Sequence, residues 1–421
     1  MNTSLSIIDK GLEQKNAVMK RTVRDIDFGG KAALVRCDFN VPLDKECRIT
    51  DDTRIVGALP TINYLIGQGA KVILMSHLGR PDGEAKLEFS LAPVAADLSE
   101  KLGIPVYFES VPEVVNEDIR VKAASMAPGG VMLLENTRFR KEEDTKEISA
   151  QAPFAKELAS LGDIFVNDAF GTAHRHHAST AGVADYLPAV MGFLMEKELK
   201  YLGEALENPK RPFVAIMGGA KVADKIPVIK NLMKKADTIL IGGGMAFTFL
   251  KAMGCGIGKS ILDNDGIEFA GSLLEIAEGS GVKIILPKDI LAAEAFDNEA
   301  HSEVFETSSA EGIPDGFAGL DIGPVTIGVF AGEIAKAGSI LWNGPMGVFE
   351  MPGFAGGTRS VSEAIVKATE NGAISIIGGG DSAAAVTQFG HADKMTHVST
   401  GGGASLEFIE GRPLPGVEAL S

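Results

Sequence analysis

The sequence predicts an α/β protein with two doubly wound parallel-sheet domains, joined by a helix and flanking a cleft. Three observations predict it. Short apolar runs alternate with helical patterns along the whole chain, the chain is 421 residues long, and its glycines cluster just after several of the runs. A length of this order exceeds the size at which one core keeps growing, so two domains of about 200 residues are expected. Strands that are apolar at nearly every position and separated by helices belong to parallel sheets covered on both faces, a Rossmann-like arrangement.

In the first half the runs are AALVR (32–36), VILMS (72–76), VYF (106–108), VMLLE (131–135) and IFVN (164–167). Between them, 53–68, 90–103 and 146–161 space their apolar residues by three and four, as amphipathic helices do. The second half repeats the plan with FVAIM (213–217), TILIG (238–242), KIILP (283–287), ILW (340–342), AISII (373–377) and HVS (397–399). The joint falls within 188–212. There Met195, Leu199, Leu202 and Leu206 mark one helical face, Glu196 and Lys200 stand four apart as an ion pair, and Pro209 and Pro212 stop the helix. We assign 1–190 to the first domain, 191–208 to the joining helix and 209–404 to the second domain.

The chain carries 50 glycines, about 12% against a usual 7% or so, with no fibrous repeat. Its net charge of −16 argues against nucleic acid or an anionic membrane surface as partner. No apolar run reaches the 18 or so residues of a membrane span. Cys37, Cys47 and Cys255 form no CxxC pair, which fits a reducing cytoplasm. Residues 1–20 carry charges and lack an apolar core or an Arg-rich pattern, so they read as neither signal nor transit peptide.

In parallel sheets ligands bind beyond the carboxyl ends of the strands, and the chemistry-bearing motifs all stand there. The first half closes its strands with DFN (38–40), SHLGR (76–80), ENTRF (135–139) and GTAHR (171–175). Arginine offers paired planar donors suited to phosphate or carboxylate oxygens. The second half closes its strands with glycines at 218–219, 242–244, 378–380 and 401–403. Glycine lets backbone approach a phosphate, and a helix start favours an anion. Lys221 and Lys225 stand four apart on one face of an expected helix start.

Gly378, Gly380 and Ala383 match G-x-G-x-x-A, but the next strand ends without the acid that would hold a ribose hydroxyl, which weakens a dehydrogenase. GCGIGKS (254–260) misses the P-loop spacing because Met253 stands where the first glycine is required, so we read a loop and helix start. The HRHH run lacks a second ligand cluster for zinc. A non-catalytic binding protein of the hinge type would use the same cleft, yet would not need Arg54, Lys221 and Asp381 together. Arg54 itself can begin a helix on the surface or point into the cleft. A glycine-lined half facing an Arg/His-lined half suggests a two-domain kinase, in which phosphoryl transfer depends on positioning and charge rather than on a nucleophilic triad.

Taken in order, RCDFNVP (36–42), DDTRI (51–55), SHLGRP (76–81), ENTRF (135–139), FGTAHR (170–175), GGAKVADK (218–225), IGGGMAFTF (241–249), LWNGPMGVFE (341–350), GGGDS (378–382) and STGGGASLE (399–407) closely resemble the phosphoglycerate kinase family. The resemblance covers nearly the whole chain. It implies reversible, Mg²⁺-dependent phosphoryl transfer between 1,3-bisphosphoglycerate and ADP, giving 3-phosphoglycerate and ATP. It also implies a cytoplasmic monomer whose C-terminal tail, 405–421, packs on the first domain, and whose domains close to exclude water from the transfer.

Carried over residue by residue, the resemblance assigns Asp38 and Asn40 to the glycerate end, and His77, Arg80, Arg138 and Arg175 to the phosphate that is not transferred. Arg54 and Lys221, with the helix-start glycines Gly380 and Gly403, would stabilise charge on the group in flight. Lys225, Asn343, Gly378, Gly379 and Ser382 would meet nucleotide phosphates. Asp381 would ligate Mg²⁺, Glu350 would hold the ribose hydroxyls, and Gly242, Gly243 and Gly319 would line the adenine and ribose side. Two departures stand out: His176, where the family commonly has a small residue, and about 17 residues ahead of the usual start near TVRDID (22–27).

Overall fold

The central strand-forming runs of both parallel sheets are apolar on both faces, and the fold covers both. The computed structural model describes residues 20–421, so the N-terminal extension lies outside the described residues. Two compact units result, residues 20–200 with 413–421, and residues 201–412.

The first unit is built on β1 (Ala32–Arg36), α1 (Thr53–Gly67), β2 (Lys71–Met75), α2 (Ala92–Leu102), β3 (Val106–Phe108), α3 (Glu117–Ser125), β4 (Val131–Leu133), α4 (Ile148–Ala159), β5 (Ile164–Asn167) and β6 (Ala189–Met191). Its six strands form one parallel sheet in the order β3-β4-β2-β1-β5-β6. The chain winds outward from β1 through β2 and returns on the other side through β5, so the crevice where direction reverses opens beyond β1 and β5. Helix α1 buries Ile55, Ala58, Thr61, Ile62 and Leu65, the three-and-four spacing visible in the sequence. The last residues return to this unit: Gly416 N–H donates to Ala173 O at 2.8 Å and Ser421 N–H to Ala189 O at 3.0 Å.

Helix α5 (Phe193–Glu207) carries the chain on, ending before Pro209. The expected Glu196–Lys200 pair is replaced: Glu196 binds Arg24, whose guanidinium also lies 4.3 Å from the Phe193 ring centroid. A segment remote in sequence thus takes the carboxylate that local spacing offered to Lys200.

In the second unit β7 (Phe213–Met217), α6 (Ile226–Leu232), β8 (Thr238–Ile241), α7 (Met245–Ala252), α8 (Ile267–Ser280) and β9 (Lys283–Ile285) come first. They are followed by β10 (Asp289–Ala293), β11 (Ser302–Glu306), β12 (Ala318–Ile322), α9 (Pro324–Ile334), β13 (Ser339–Asn343), α10 (Gly356–Glu370), β14 (Ile374–Gly378), α11 (Gly380–Gln388), β15 (His397–Val398), α12 (Gly403–Glu410) and α13 (Pro415–Glu418), the last of which belongs to the first unit. A second six-stranded parallel sheet has the order β15-β14-β13-β7-β8-β9, with its reversal between β7 and β13.

The expectation of parallel sheets alone needs one addition. β10 pairs antiparallel with both β11 and β12 in a separate three-stranded sheet. β11 is nearly all exposed, so it has no buried face to print a periodicity on the sequence. Residues 254–260 form a loop, as expected, but no helix starts there; the next helical turn begins at Asn264.

Candidate active site

At the reversal of the first sheet, β1 delivers Asp38 and Asn40 into the crevice. Asp38 is only 8% exposed and its Oδ2 accepts from Arg54 Nη1 at 3.0 Å. Arg54 stands in the first turn of α1 and is half-buried, so it points inward. Asn40 Oδ1 accepts from Gly79 N–H at 2.9 Å, fixing the turn that follows β2. A fully buried Asn136 fixes the same turn from β4: its Nδ2 donates to Leu78 O at 2.7 Å and its Oδ1 accepts from Leu78 N–H at 3.2 Å and Arg138 N–H at 3.0 Å.

These ties gather three of the predicted arginines. Arg80, Arg138 and Arg175, with Asp82, Gly83 and Asp144, line a cavity of about 300 Å³. Arg138 is buried and donates from Nη1 to Gly79 O at 2.8 Å, while Arg80 and Arg175 are exposed. Arg175 Nε donates to His174 Nε2 at 3.1 Å.

His77 is not in that lining; it is buried, with Nδ1 3.1 Å from Arg36 Nη2. Burial first, then the charges of Arg36 and Arg138, hold its imidazole well below the ordinary range and therefore neutral. Because arginine can only donate, Nδ1 accepts and the proton resides on Nε2. His177 is held neutral in the same way, pushed down to about 3. His176 has a structural part: its Nδ1 lies 2.9 Å from Gln151 Oε1, and Gln151 Nε2 donates to the His176 carbonyl at 2.9 Å. Among the described residues no group of three or more His, Cys, Asp or Glu could hold a metal ion.

Sequence reasoning gave no role to Arg36 and Glu143. Arg36 is fully buried; it donates to Ser179 Oγ at 2.8 Å and to the Cys37 carbonyl, and it faces His77. Glu143, also fully buried, accepts from Ser179 N–H at 3.0 Å and from Thr137 Oγ1 at 3.2 Å. A buried arginine requires such partners. The one available signal was a charge at the last position of an otherwise apolar strand.

In the second unit, β7 and β13 end side by side at the reversal. Gly218 N–H donates to Asn343 O at 2.9 Å, and a Cβ on Gly218 would stand 2.1 Å from Pro345 O, so only glycine permits this crossing. Lys225 reaches into the same corner: its Nζ donates to Asn343 O at 3.2 Å and to Asn343 Oδ1. Burial lowers Lys225 to about 8, and Asp381 and Asp224 oppose that shift. Asn343 Nδ2 is buried without a hydrogen-bond partner. Lys221 stands differently from the expectation: it is exposed and precedes the helical turn Ala223–Lys225, so the two lysines do not share one face of a helix. The chain bends at Val222 before any helix begins, which no spacing rule reveals.

A cavity of about 540 Å³ opens here. Of the predicted nucleotide residues, Gly243, Gly319, Glu350 and Asp381 line it, with Phe247, Ile290, Phe296, Leu320, Met346 and Val348 among its apolar walls. The unforeseen strands β10 and β12 supply Ile290, Ala318, Gly319 and Leu320 to that lining. Gly242 lies under Met346, whose Sδ a Cβ there would approach to 2.4 Å. Gly378 ends β14, Gly379 has φ +88°, and Gly380 begins α11. Ser382 is fully buried, its Oγ accepting from Gly344 N–H at 2.6 Å, and lies outside the cavity lining. Gly403 begins α12, also away from the cavity. Asp321, which the sequence did not single out, is a buried carboxylate in the lining that accepts from Gly357 N–H at 2.6 Å; burial pushes it up to about 7.

Comparison with known proteins decides between the readings. The family model described as phosphoglycerate kinase matches residues 23–412. The chain belongs to the phosphoglycerate kinase family. Curated phosphoglycerate kinases of Clostridium novyi (strain NT) and Chloroflexus aggregans are 58% and 55% identical to it, covering 96% and 95% of this chain and 98% of each relative. The solved phosphoglycerate kinase of Coxiella burnetii superposes with a TM-score of 0.85 at 42% identity, and that of Pyrococcus horikoshii OT3 with 0.82 at 34%; each comparison covers 95% of this chain and 98% of the other. As a family member the chain is a phosphotransferase, and the dehydrogenase and passive-binding readings fall away. The phosphoglycerate kinase match begins at Val23, close to the expected start at TVRDID, and leaves the extension outside it.

Proposed function

We propose that the first unit holds 3-phosphoglycerate or 1,3-bisphosphoglycerate and the second holds ATP or ADP, and that the chain passes a phosphoryl group reversibly between them. The convergence of Arg80, Arg138 and Arg175 on one cavity carries this reading. Three guanidinium groups are what a phosphate that stays on its substrate requires. Asp38 and Asn40 hold the hydroxyl and carboxyl end. Neutral His77, with its proton on Nε2, donates to the anion as a positioning group.

In the forward direction a bond breaks between the acyl oxygen and phosphorus of 1,3-bisphosphoglycerate, and one forms to the terminal oxygen of ADP. The carboxylate leaves with its electron pair. Charge spreads over the oxygens of the moving group, where Arg54 and Lys221 act, aided by backbone N–H groups at the starts of α11 and α12, Gly380 and Gly403. Lys225 and Asn343 Nδ2 bind nucleotide phosphates beside Gly378 and Gly379, with Ser382 fixing the turn, and Glu350 takes the ribose. Gly242, Gly243 and Gly319 keep the base wall open.

The Asp381 carboxylate suits a nucleotide-bound Mg²⁺, which usually takes one or two carboxylates and otherwise phosphates and waters. Asp381 stands at the second position of α11, faces the cavity and makes no hydrogen bond or ion pair among the described residues. When bound, the ion neutralises charge on the phosphates. Cytoplasmic placement and a monomeric state complete the reading. The first fits three free cysteines; the second rests on the family resemblance.

A coupled assay with 3-phosphoglycerate, ATP and Mg²⁺ tests the proposal. Turnover is expected, and a folded sample without any would overturn it.

A further inference from the structure

The cavity that gathers Arg80, Arg138 and Arg175 also contains two carboxylates, Asp82 and Asp144. A site for a phosphate dianion gains nothing directly from like charges, so their presence calls for a cause. Arg138 points to one. Its Nη1 is committed to Gly79 O at 2.8 Å, which leaves the Nε edge for a ligand. That Nε is buried without a hydrogen bond, yet Asp144 Oδ2 lies 3.4 Å from it, close enough to pair in charge but not to bond. Arg138 is 7% exposed whereas the Asp144 side chain is 47% exposed, so the cation is fixed and the anion is free to swing. Burial works against the Arg138 charge, and Asp144 is the foremost carboxylate that offsets it.

We propose that Asp144 is an internal competitor for the substrate phosphate: its carboxylate shields the Nε edge of Arg138 and must yield before two ligand oxygens can bond to that guanidinium. The inference rests on the reading that this cavity holds the phosphate that is not transferred. It explains how three clustered guanidinium groups remain compatible with folding when no ligand is present. It also explains why Asp144 is not hydrogen-bonded into place: a carboxylate locked onto Arg138 would block the ligand, and without Asp144 only the weaker influence of Glu143 would offset the burial of the cation. The consequence is selectivity, because a weakly charged anion cannot displace Asp144 as a phosphate dianion can.

The test is calorimetric titration of the full chain with 3-phosphoglycerate at low salt. Asp144→Asn is expected to bind about two- to fivefold more tightly than the unaltered chain, the range for a partly exposed charge pair, and the gain should vanish in high salt. Asp144→Glu, which keeps the charge, is expected to stay near the unaltered value. Unchanged or weaker binding by Asp144→Asn would overturn the inference, weaker binding assigning Asp144 to orienting Arg138; so would a gain shared equally by the glutamate variant. Arg80→Ala separates the two readings. If it binds 3-phosphoglycerate as tightly as the unaltered chain, the cavity is not the phosphate site and the functional reading itself fails.

Discussion

Lys225 Nζ donates to both the carbonyl and the side-chain oxygen of Asn343, joining the turn before α6 to the end of β13. Burial lowers the lysine to about 8 in the ligand-free protein. Nucleotide phosphates would favour its charged form and raise it again, so ADP binding should draw in a proton near pH 8.5. Affinity should be full below pH 8 and fall above it, by up to about tenfold per unit. Titration calorimetry in two buffers of different ionisation enthalpy checks the proton uptake. Equal heats in both buffers would remove Lys225 from phosphate binding.

Arg54 and Asp38 form the corresponding pair in the first unit, 3.0 Å apart. If Arg54 acts on the group in flight, its charge is needed mainly in the transition state. Arg54→Ala should then lower kcat by about 10²- to 10³-fold while KM for 3-phosphoglycerate changes far less. An unchanged kcat would end that assignment.

Arg175 is exposed, with its Nε on His174 Nε2, so truncating it should not disturb the fold. Arg175→Ala should raise the dissociation constant of 3-phosphoglycerate by about 10- to 100-fold, the value of a hydrogen bond to a charged group. Binding within twofold of the unaltered chain would place the phosphate elsewhere.

The alternation of apolar runs and helical patterns was enough to give both parallel sheets, because strands buried on both faces write an unbroken apolar signature. It could not give β11, an edge strand with Val304 half-exposed, nor the antiparallel sheet whose strands β10 and β12 wall the larger cavity of the second unit. The arginines and glycines of the site were legible because they follow strand ends. Asp144 and Asp321 were not, since a carboxylate among anion-binding groups runs against charge complementarity, and Glu143 was not, since its partners Ser179 and Thr137 are set by tertiary contact. His176 shows the same limit: Gln151, 25 residues away, gives it its part.

Asp168 offers a stability test. It is fully buried, and its Oδ1 accepts from Leu194 N–H at 2.8 Å and Met195 N–H at 3.2 Å in the first turn of α5, while Oδ2 has no partner. Burial raises it from 3.8 to about 6. With the folded value above the unfolded one, its contribution to stability is complete below about pH 4 and is lost as pH rises through 6. A shift of about two units is worth at most about 3 kcal/mol. Asp168→Asn keeps the Oδ1 acceptor and removes the titration. Its urea midpoint should therefore fall less between pH 4 and pH 8 than that of the unaltered chain. Parallel pH curves for the two proteins would refute the assignment.

Gly379 tests whether the phosphate turn is shaped for its ligand or only for its own backbone. Its φ of +88° and ψ of 146° belong to a region almost exclusive to glycine, and an added Cβ would stand 2.9 Å from Asn343 Nδ2. Gly379→Ala therefore combines backbone strain of about 1–3 kcal/mol with pressure on the amide that would meet the nucleotide. Gly372→Ala is the control: its φ is +90°, but the nearest atom to an added Cβ is Lys210 Nζ at 4.0 Å. Both variants should lose stability, and only Gly379→Ala should also lose ADP affinity, because only there does the methyl group push Asn343 away from Lys225. If both bind ADP as the unaltered chain does, Asn343 does not contact the nucleotide and the orphaned amide needs another explanation.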